Sequence, residues 1–488
     1  MIEVRHAGYI DGQWLAGSGA GFEVRNPSDE SLVATINGLA LDEVSAAVAA
    51  ARRAFDAGQW SALPRAERAE VMRRYAAALA GRAERLKELA VLEAGCPVSS
   101  TVMGAQVQTP LKHAAEAVDL YLSLPELLDN PLPLADRVGV TGQPFQSVRT
   151  WQPLGVVAAI AAYNVPFYTA LWKVIPALLT GNTVVLRPNP LTPISALIFA
   201  EAAEEAGLPA GVLNVVIEAG LEGGQLLSSD PRVDMVSFTG SCAVGAKVAE
   251  QAAPTLKRLV LELGGKSAQV FLPDSVERAA MMARSVCVSH AGQGCVLGTR
   301  IFVPEERKAE VLAAAAQLLS AIRIGPANDP ASEMGPVVNE AAVARCERLV
   351  AAAVAQGGTV ITGGKRPASM PQGHYFEPTL LDLPDNANPA AQEEIFGPVV
   401  GVIGYRVIEI AVEMANDTKF GLAAWVYGQD KRAALALGQR LRAGTVNINA
   451  ALTSAWVSSG GAKMSGIGRE RGEEGLRAFQ QMSVLNFG

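Results

Sequence analysis

The sequence is short of the residues that metal centres, disulfide frameworks and nucleic-acid surfaces need. Its 488 residues hold four histidines and five cysteines. No two of His6, His113, His290 and His374 are spaced to share a metal, and no two cysteines form a C-x-x-C pair, so no metal site is expected. An odd, sparse set of thiols (Cys96, Cys242, Cys287, Cys295 and Cys346) suits a reducing compartment. Charged residues make up only 18% of the chain and sum to −7. Without a basic surplus, neither nucleic acid nor an anionic membrane is an expected partner. The apolar runs, such as 155–162, are too short to span a bilayer, and Met1 to His6 carries no apolar signal core. A cytoplasmic protein is the expectation.

What the chain does have is apolar content. Half of its residues are hydrophobic, enough for large cores, and the length exceeds what one core usually holds, so two or more domains are expected. One stretch, 262–298, concentrates reactive chemistry. It opens with Glu262-Leu263-Gly264-Gly265-Lys266 and closes with Gly292-Gln293-Gly294-Cys295-Val296-Leu297-Gly298. A thiolate is a nucleophile, a carboxylate can serve as general base, and flanking glycines let substrate and backbone approach closely.

Short strands and turns are expected over 9–36, followed by Ala-rich helices at 42–56 (capped by Asp42), 65–93 and 104–122. These helices carry no evident chemistry. A Pro- and Leu-rich segment at 125–144 then leads into an alternating, exposed strand at 146–152. From 155 to 263 strands and helices alternate: strands at 155–162, 183–186, 212–217, 235–238 and 259–263, with helices between them. This predicts a parallel sheet covered on both faces, with ligands beyond the carboxyl ends of the strands. The turns there are Tyr163-Asn164-Val165-Pro166, Arg187-Pro188-Asn189-Pro190, Glu218-Ala219-Gly220 and Thr239-Gly240-Ser241. A second α/β region follows, with strands expected at 300–303, 359–361, 399–403 and 444–448. The usual G-x-G-x-x-G is missing; Phe238-Thr239-Gly240-Ser241 stands at a strand-to-helix junction, where a helix N-terminus can hold a pyrophosphate.

Together with Glu393-Glu394-Ile395-Phe396-Gly397-Pro398 and the run from Gly460-Gly461 to Glu470, these motifs resemble, in order and over nearly the full length, the aldehyde dehydrogenase superfamily. The resemblance implies an NAD(P)-dependent enzyme that oxidises an aldehyde to the carboxylic acid. It implies an α/β fold of three parts: a Rossmann-like NAD(P)-binding domain (1–127 and 149–262), a catalytic cysteine domain (263–443), and a small β oligomerisation arm and tail (128–148 and 470–488). A homodimer or homotetramer is implied. Cys295 matches the nucleophile that forms a thiohemiacetal and then a thioester. Asn164 matches the amide that, with the Cys295 N–H, stabilises the oxyanion. Glu262 matches the base for the hydrolytic water, and Lys173 a lysine assisting proton transfer. Glu394 and Phe396 match the residues beside the nicotinamide ribose. Gly220, Gly224, Phe238, Gly240, Ser241, Leu263 and Gly264 fall on the cofactor-binding segments, with Gly220, Gly224, Gly240 and Ser241 along the pyrophosphate.

Two departures from the family pattern bear on specificity. Arg187-Pro188-Asn189-Pro190 replaces the common Lys-Pro-Ser-Glu. Arg187 keeps a charge for the adenosine ribose, and Asn189 lies beside it, but Pro190 removes the carboxylate that discriminates against a 2′-phosphate. NADP therefore becomes admissible beside NAD, with NAD the weak preference. Ser458-Ser459 replaces a Pro-Phe pair and leaves room for a bulkier substrate, an aromatic or medium-to-long apolar aldehyde, among Tyr168, Trp172, Val296, Leu297 and Trp456. No charged anchor is evident. The alternatives are a CoA-acylating member, which would not need Glu262, a non-catalytic descendant of the fold, which should have lost Cys295 or Glu262, and a thiol hydrolase.

Overall fold

The computed structural model describes residues 2–488. Two large sheets dominate it. The first runs, edge to edge, Gly466–Ile467, Arg258–Glu262, Met235–Thr239, Val156–Ile160, Thr183–Arg187, Leu213–Val216, Gly8–Ile10 and Gln13–Leu15. Its five inner strands, from Arg258–Glu262 to Leu213–Val216, are parallel, and the outer ones are antiparallel. Val156–Ile160 and Thr183–Arg187 are buried throughout, as unbroken Val/Ala/Ile/Leu runs must be when helices cover both faces. The chain steps outward in one direction from Val156–Ile160 to Leu213–Val216, then returns to place Met235–Thr239 on the other side of Val156–Ile160. That reversal opens a crevice between the turn 161–165 and the turn 239–241, the usual place for a ligand in such a sheet.

The second sheet has the order Thr359–Thr362, Thr379–Asp382, Val399–Tyr405, Arg300–Pro304, Ala268–Phe271, Ala423–Tyr427 and Thr445–Ile448. All but the first pairing are parallel. Three of these strands, Ala268–Phe271, Thr379–Asp382 and Ala423–Tyr427, are not foreseen from pattern. Ala268–Phe271 is short and interrupted by Gln269, whose buried amide donates to the Gly298 carbonyl at 2.6 Å; pairing on both sides, not propensity, makes it a strand. Thr445–Ile448 pairs within this sheet, just past the 443 bound expected for the domain, and Gly466–Ile467 rejoins the first sheet.

Gln480–Phe487 pairs along its whole length with Gln146–Pro153, which also pairs with Leu127–Asp129. The single helix expected at 65–93 is two, Arg65–Ala80 and Ala83–Leu92, broken at Gly81. The first helix, Leu41–Asp56, is capped at Ala40, whose N–H donates to Glu43 Oε2 at 2.7 Å, so Asp42 lies inside the first turn. Among the described residues, no helix is long and apolar enough to cross a membrane.

Candidate active site

The carboxyl edge of the first sheet faces the amino edge of the second because one chain segment joins them. Arg258–Glu262 ends at Glu262, and 263–267 leads directly into Ala268–Phe271. Cys295 precedes the neighbouring strand Arg300–Pro304, whose Arg300 N–H donates to the Ser267 carbonyl at 3.2 Å. A side chain at Gly265 would collide with the Cys295 carbonyl, and one at Gly292 with the Gly397 carbonyl. Glycine alone allows these approaches. The cysteine loop is thereby clamped between Gly264-Gly265 and the Glu394 segment.

Cys295 is half-buried, whereas Cys96, Cys287 and Cys346 are buried. The other partly accessible thiol, Cys242, is engaged with the Met464 carbonyl at 3.0 Å. Burial, followed by the Glu262 and Glu394 carboxylates, pushes the Cys295 thiol up to about 12. Without further positive charge, only about one part in 10⁵ is then thiolate at pH 7. Asn164 is buried in the turn before the helix Pro166–Leu179, and its Nδ2 donates to the Gln293 carbonyl at 2.8 Å. One of its two amide hydrogens is thereby fixed on the cysteine loop. Two residues not singled out from sequence hold this arrangement. Gln106 Nε2 donates to the Asn164 carbonyl at 2.7 Å, and Gln293 Oε1 accepts from Val338 N–H at 2.9 Å.

Glu262 is a buried carboxylate of the site. Its Oε1 is buried without a hydrogen-bond partner. Burial, reinforced by the Glu470 carboxylate and partly offset by Lys173, Arg471 and Arg469, raises it to about 8. Lys173, fully buried, donates to Glu470 Oε1 at 2.8 Å. Glu470 was legible only as the end of a motif. Its pairing with Lys173 spans two distant parts of the chain and carries no local signal.

The cofactor-segment residues gather along the first sheet's carboxyl edge. Ser241 caps the helix Cys242–Ala252 and accepts from Val244 N–H at 3.3 Å. Gly240 N–H donates to the Glu262 carbonyl at 3.0 Å, and a side chain at Gly240 would strike the Phe238 ring. Leu263 N–H and the Gly264 carbonyl are held by Ser465, at 2.9 and 2.6 Å. Glu394 Oε1 accepts from Gly265 N–H at 2.8 Å, and Phe396, at φ +56, packs edge-on to Tyr163 with centroids 5.9 Å apart. The fit to a dinucleotide is good: a helix N-terminus beside a crevice at the sheet's reversal, lined by glycines and ending at a carboxylate. Arg187 and Asn189 are already engaged. Arg187 pairs with the buried Glu218 and donates to the Gly220 carbonyl at 2.6 Å. Asn189 Oδ1 accepts from Leu191 N–H at 3.0 Å in a turn. Glu218 also accepts from Gly223 and Gly224 N–H, at 2.7 and 3.0 Å.

The substrate-side residues do not form one group. Trp172 is buried and Tyr168 partly so, both near His113, with ring centroids 5.5 and 6.3 Å away. Val296 and Trp456 are about half exposed, at 47% and 48%. Leu297 lines a separate cavity of about 330 Å³ with Gln269, Trp425 and Tyr427, on the second sheet's side.

Two sheets meeting edge to edge over a cysteine and a buried carboxylate, with a nucleotide crevice alongside, define a dinucleotide-dependent oxidoreductase. Residues 14–485 match the model of the aldehyde dehydrogenase family. The chain is 36% identical to geranial dehydrogenase of Castellaniella defragrans, over 97% of each chain. It superposes with TM-score 0.92 and 36% identity on the C291A mutant of aldehyde dehydrogenase C from Pseudomonas syringae, solved with NAD+ and octanal, covering 99% of this chain and 96% of that one. The match to a Mycobacterium tuberculosis aldehyde dehydrogenase complexed with NAD+ has TM-score 0.92 and 39% identity, over 98% and 97%. The chain belongs to the aldehyde dehydrogenase family and is an oxidoreductase that oxidises aldehydes with NAD(P).

Proposed function

We propose that the reaction runs through covalent catalysis at Cys295 and yields the carboxylic acid. The Cys295 sulfur adds to the aldehyde carbon, and the oxygen of the thiohemiacetal is held by Asn164 Nδ2 and the Cys295 N–H. NAD(P), when bound, accepts the two electrons that leave this carbon. Glu262 takes a proton from the water that hydrolyses the resulting thioester, and the Lys173–Glu470 pair beside it sets its charge. Arg187 and Asn189 serve the adenosine end of the cofactor, the 220–241 glycine segments and Ser241 the pyrophosphate, and Glu394 and Phe396 the nicotinamide end. The cofactor domain is 1–127 with 149–262 and the cysteine domain 263–443. The arm 128–148 and tail 470–488 join copies into a homodimer or homotetramer. The substrate is an aldehyde with an apolar body, medium-to-long aliphatic or aromatic, passing Tyr168 and Trp172.

The observation that carries this reading is the buried, unpartnered Glu262 Oε1 beside a half-buried cysteine. A buried carboxylate raised to about 8 is suited to proton transfer near neutral pH, and acyl transfer to CoA would not require it. The test is formation of reduced cofactor from a panel of aldehydes, with Cys295→Ala and Glu262→Gln beside the native enzyme. Cys295→Ala should abolish turnover, and Glu262→Gln should trap an acyl adduct on Cys295 visible by mass spectrometry. Undiminished turnover in Cys295→Ala sinks the proposal.

A further inference from the structure

Arg471 lies where the C-terminal helix Gly472–Arg477 packs against the helices Thr109–Ser123 and Pro166–Leu179. Its neighbour Glu470 is committed to Lys173, and Lys173 follows Trp172 in sequence, so Arg471 is brought to the substrate side of the site. Its backbone is held there: Ser459 and Glu470 exchange two N–H···O bonds of 2.8 Å, and Gly472 N–H donates to the Ala455 carbonyl at 2.9 Å. The Arg471 Nε donates to Ser459 Oγ at 2.9 Å. Ser459 is the residue expected to leave space in place of an aromatic ring, and the serine holds a guanidinium.

That guanidinium has no carboxylate partner among the described residues. It is half-buried, and its charge is felt by His113, Tyr168 and Glu262, each of which it lowers, while Tyr168 in turn feels Cys295. One further polar group in the same neighbourhood is unsatisfied. His113 is 1% exposed and its Nδ1 has no hydrogen-bond partner, whereas the buried Trp172 indole N–H lies against the Tyr168 hydroxyl. Burial lowers His113 to about 4, so at neutral pH it is an uncharged imidazole. A neutral imidazole can donate from one nitrogen. Buried donors without acceptors are costly and call for an occupant that supplies them.

We infer that Arg471, held by Ser459, anchors a carboxylate at the far end of the substrate, so that the enzyme takes apolar-bodied aldehydes bearing a second, acidic group. A guanidinium meets a carboxylate through two parallel N–H···O bonds, which fixes the molecule's orientation as well as its affinity. The apolar rings of Tyr168 and Trp172 face the body between aldehyde and acid. This rests on the reading that Cys295 receives the aldehyde.

The experiment compares length-matched pairs, 6-oxohexanoate with hexanal and 4-carboxybenzaldehyde with benzaldehyde, as the ratio of kcat/KM within each pair. The native enzyme should favour the acidic member of at least one pair by about tenfold or more, Arg471→Gln should bring that ratio to near one, and Arg471→Lys should restore part of it. Using a ratio within each variant cancels any loss of folded enzyme. A native preference for both neutral members, or a ratio unmoved by Arg471→Gln, overturns the inference. A second readout needs no turnover. Adipate should slow alkylation of Cys295 by iodoacetamide in the native protein, hexanamide should do so far less, and Arg471→Gln should abolish the difference. Adipate protection without oxidation of any aldehyde would sink the catalytic reading and leave the carboxylate anchor standing. Oxidation of neutral aldehydes without adipate protection would do the reverse.

Discussion

Arg187 and Glu218 are buried side by side at the carboxyl edge of the first sheet, Nε to Oε1 at 2.5 Å, and the same carboxylate caps the helix Glu222–Ser229 through Gly223 and Gly224. The sequence suggests that Pro190 leaves this edge without a carboxylate. The fold supplies one from the next strand's turn.

The expected consequence is a preference for NAD. The 2′-phosphate of NADP would approach an arginine already neutralised and a carboxylate of its own sign, and like charges juxtaposed cost several kcal/mol. Native protein should bind NAD more tightly than NADP by at least about tenfold, and Glu218→Gln should narrow the gap. Titration of the unliganded enzyme with adenosine 2′,5′-bisphosphate and AMP reads this without turnover. Equal affinity for the two in native protein counts against it.

The Glu262 limb of the pH profile should move with its neighbours. Because Glu262 is raised to about 8 and acts deprotonated, kcat for the hydrolytic step should rise with pH through about 8. Glu470 is a like charge that raises it, so Glu470→Gln should shift the limb to lower pH, and Lys173→Met, removing a cation, should shift it higher. Lys173→Met also leaves a buried carboxylate unpaired, at about 3–5 kcal/mol of stability, checked by thermal unfolding. Identical limbs in all three proteins would show that the pair does not set the base.

The nucleophile should be sluggish in the unliganded protein. With its thiol raised to about 12, alkylation of Cys295 by iodoacetamide should climb about tenfold per pH unit across the neutral and alkaline range. A plateau near neutrality would reveal a thiolate stabilised by something other than the groups around it.

Asn164 should be sensitive through a residue that touches no substrate. Asn164→Ala should lower kcat by about 10²–10³. Gln106→Leu removes the donor on the Asn164 carbonyl, so it should lower kcat by up to about 10² through misplacement of the amide while leaving the affinity for NAD unchanged. An effect of Gln106→Leu on NAD affinity alone would point to a different role.

Much of the fold is written in local pattern. The buried strands Val156–Ile160 and Thr183–Arg187 are unbroken apolar runs bounded by turns, and β-α-β alternation forces a parallel sheet whose carboxyl edge carries Asn164, Gly240 and Glu262. Cys295 stands out by its glycine-rich surroundings and Glu394 by motif order. The strand Ala268–Phe271 is hidden by Gln269, and the gap between Arg65–Ala80 and Ala83–Leu92 by a continuous helical period.

By itself, then, the sequence determined an α/β architecture and the family, and marked Cys295 and Glu262 for the proposed roles of nucleophile and base, because periodicity and motif order are read along the chain. Tertiary structure alone decided the charges around them. Glu218 on Arg187, Glu470 on Lys173, Gln106 on Asn164 and Ser459 on Arg471 join segments separated by 12 to 297 residues. Such pairings exist only once burial has excluded water, where a charge or donor must find a partner or wait for a ligand to bring one.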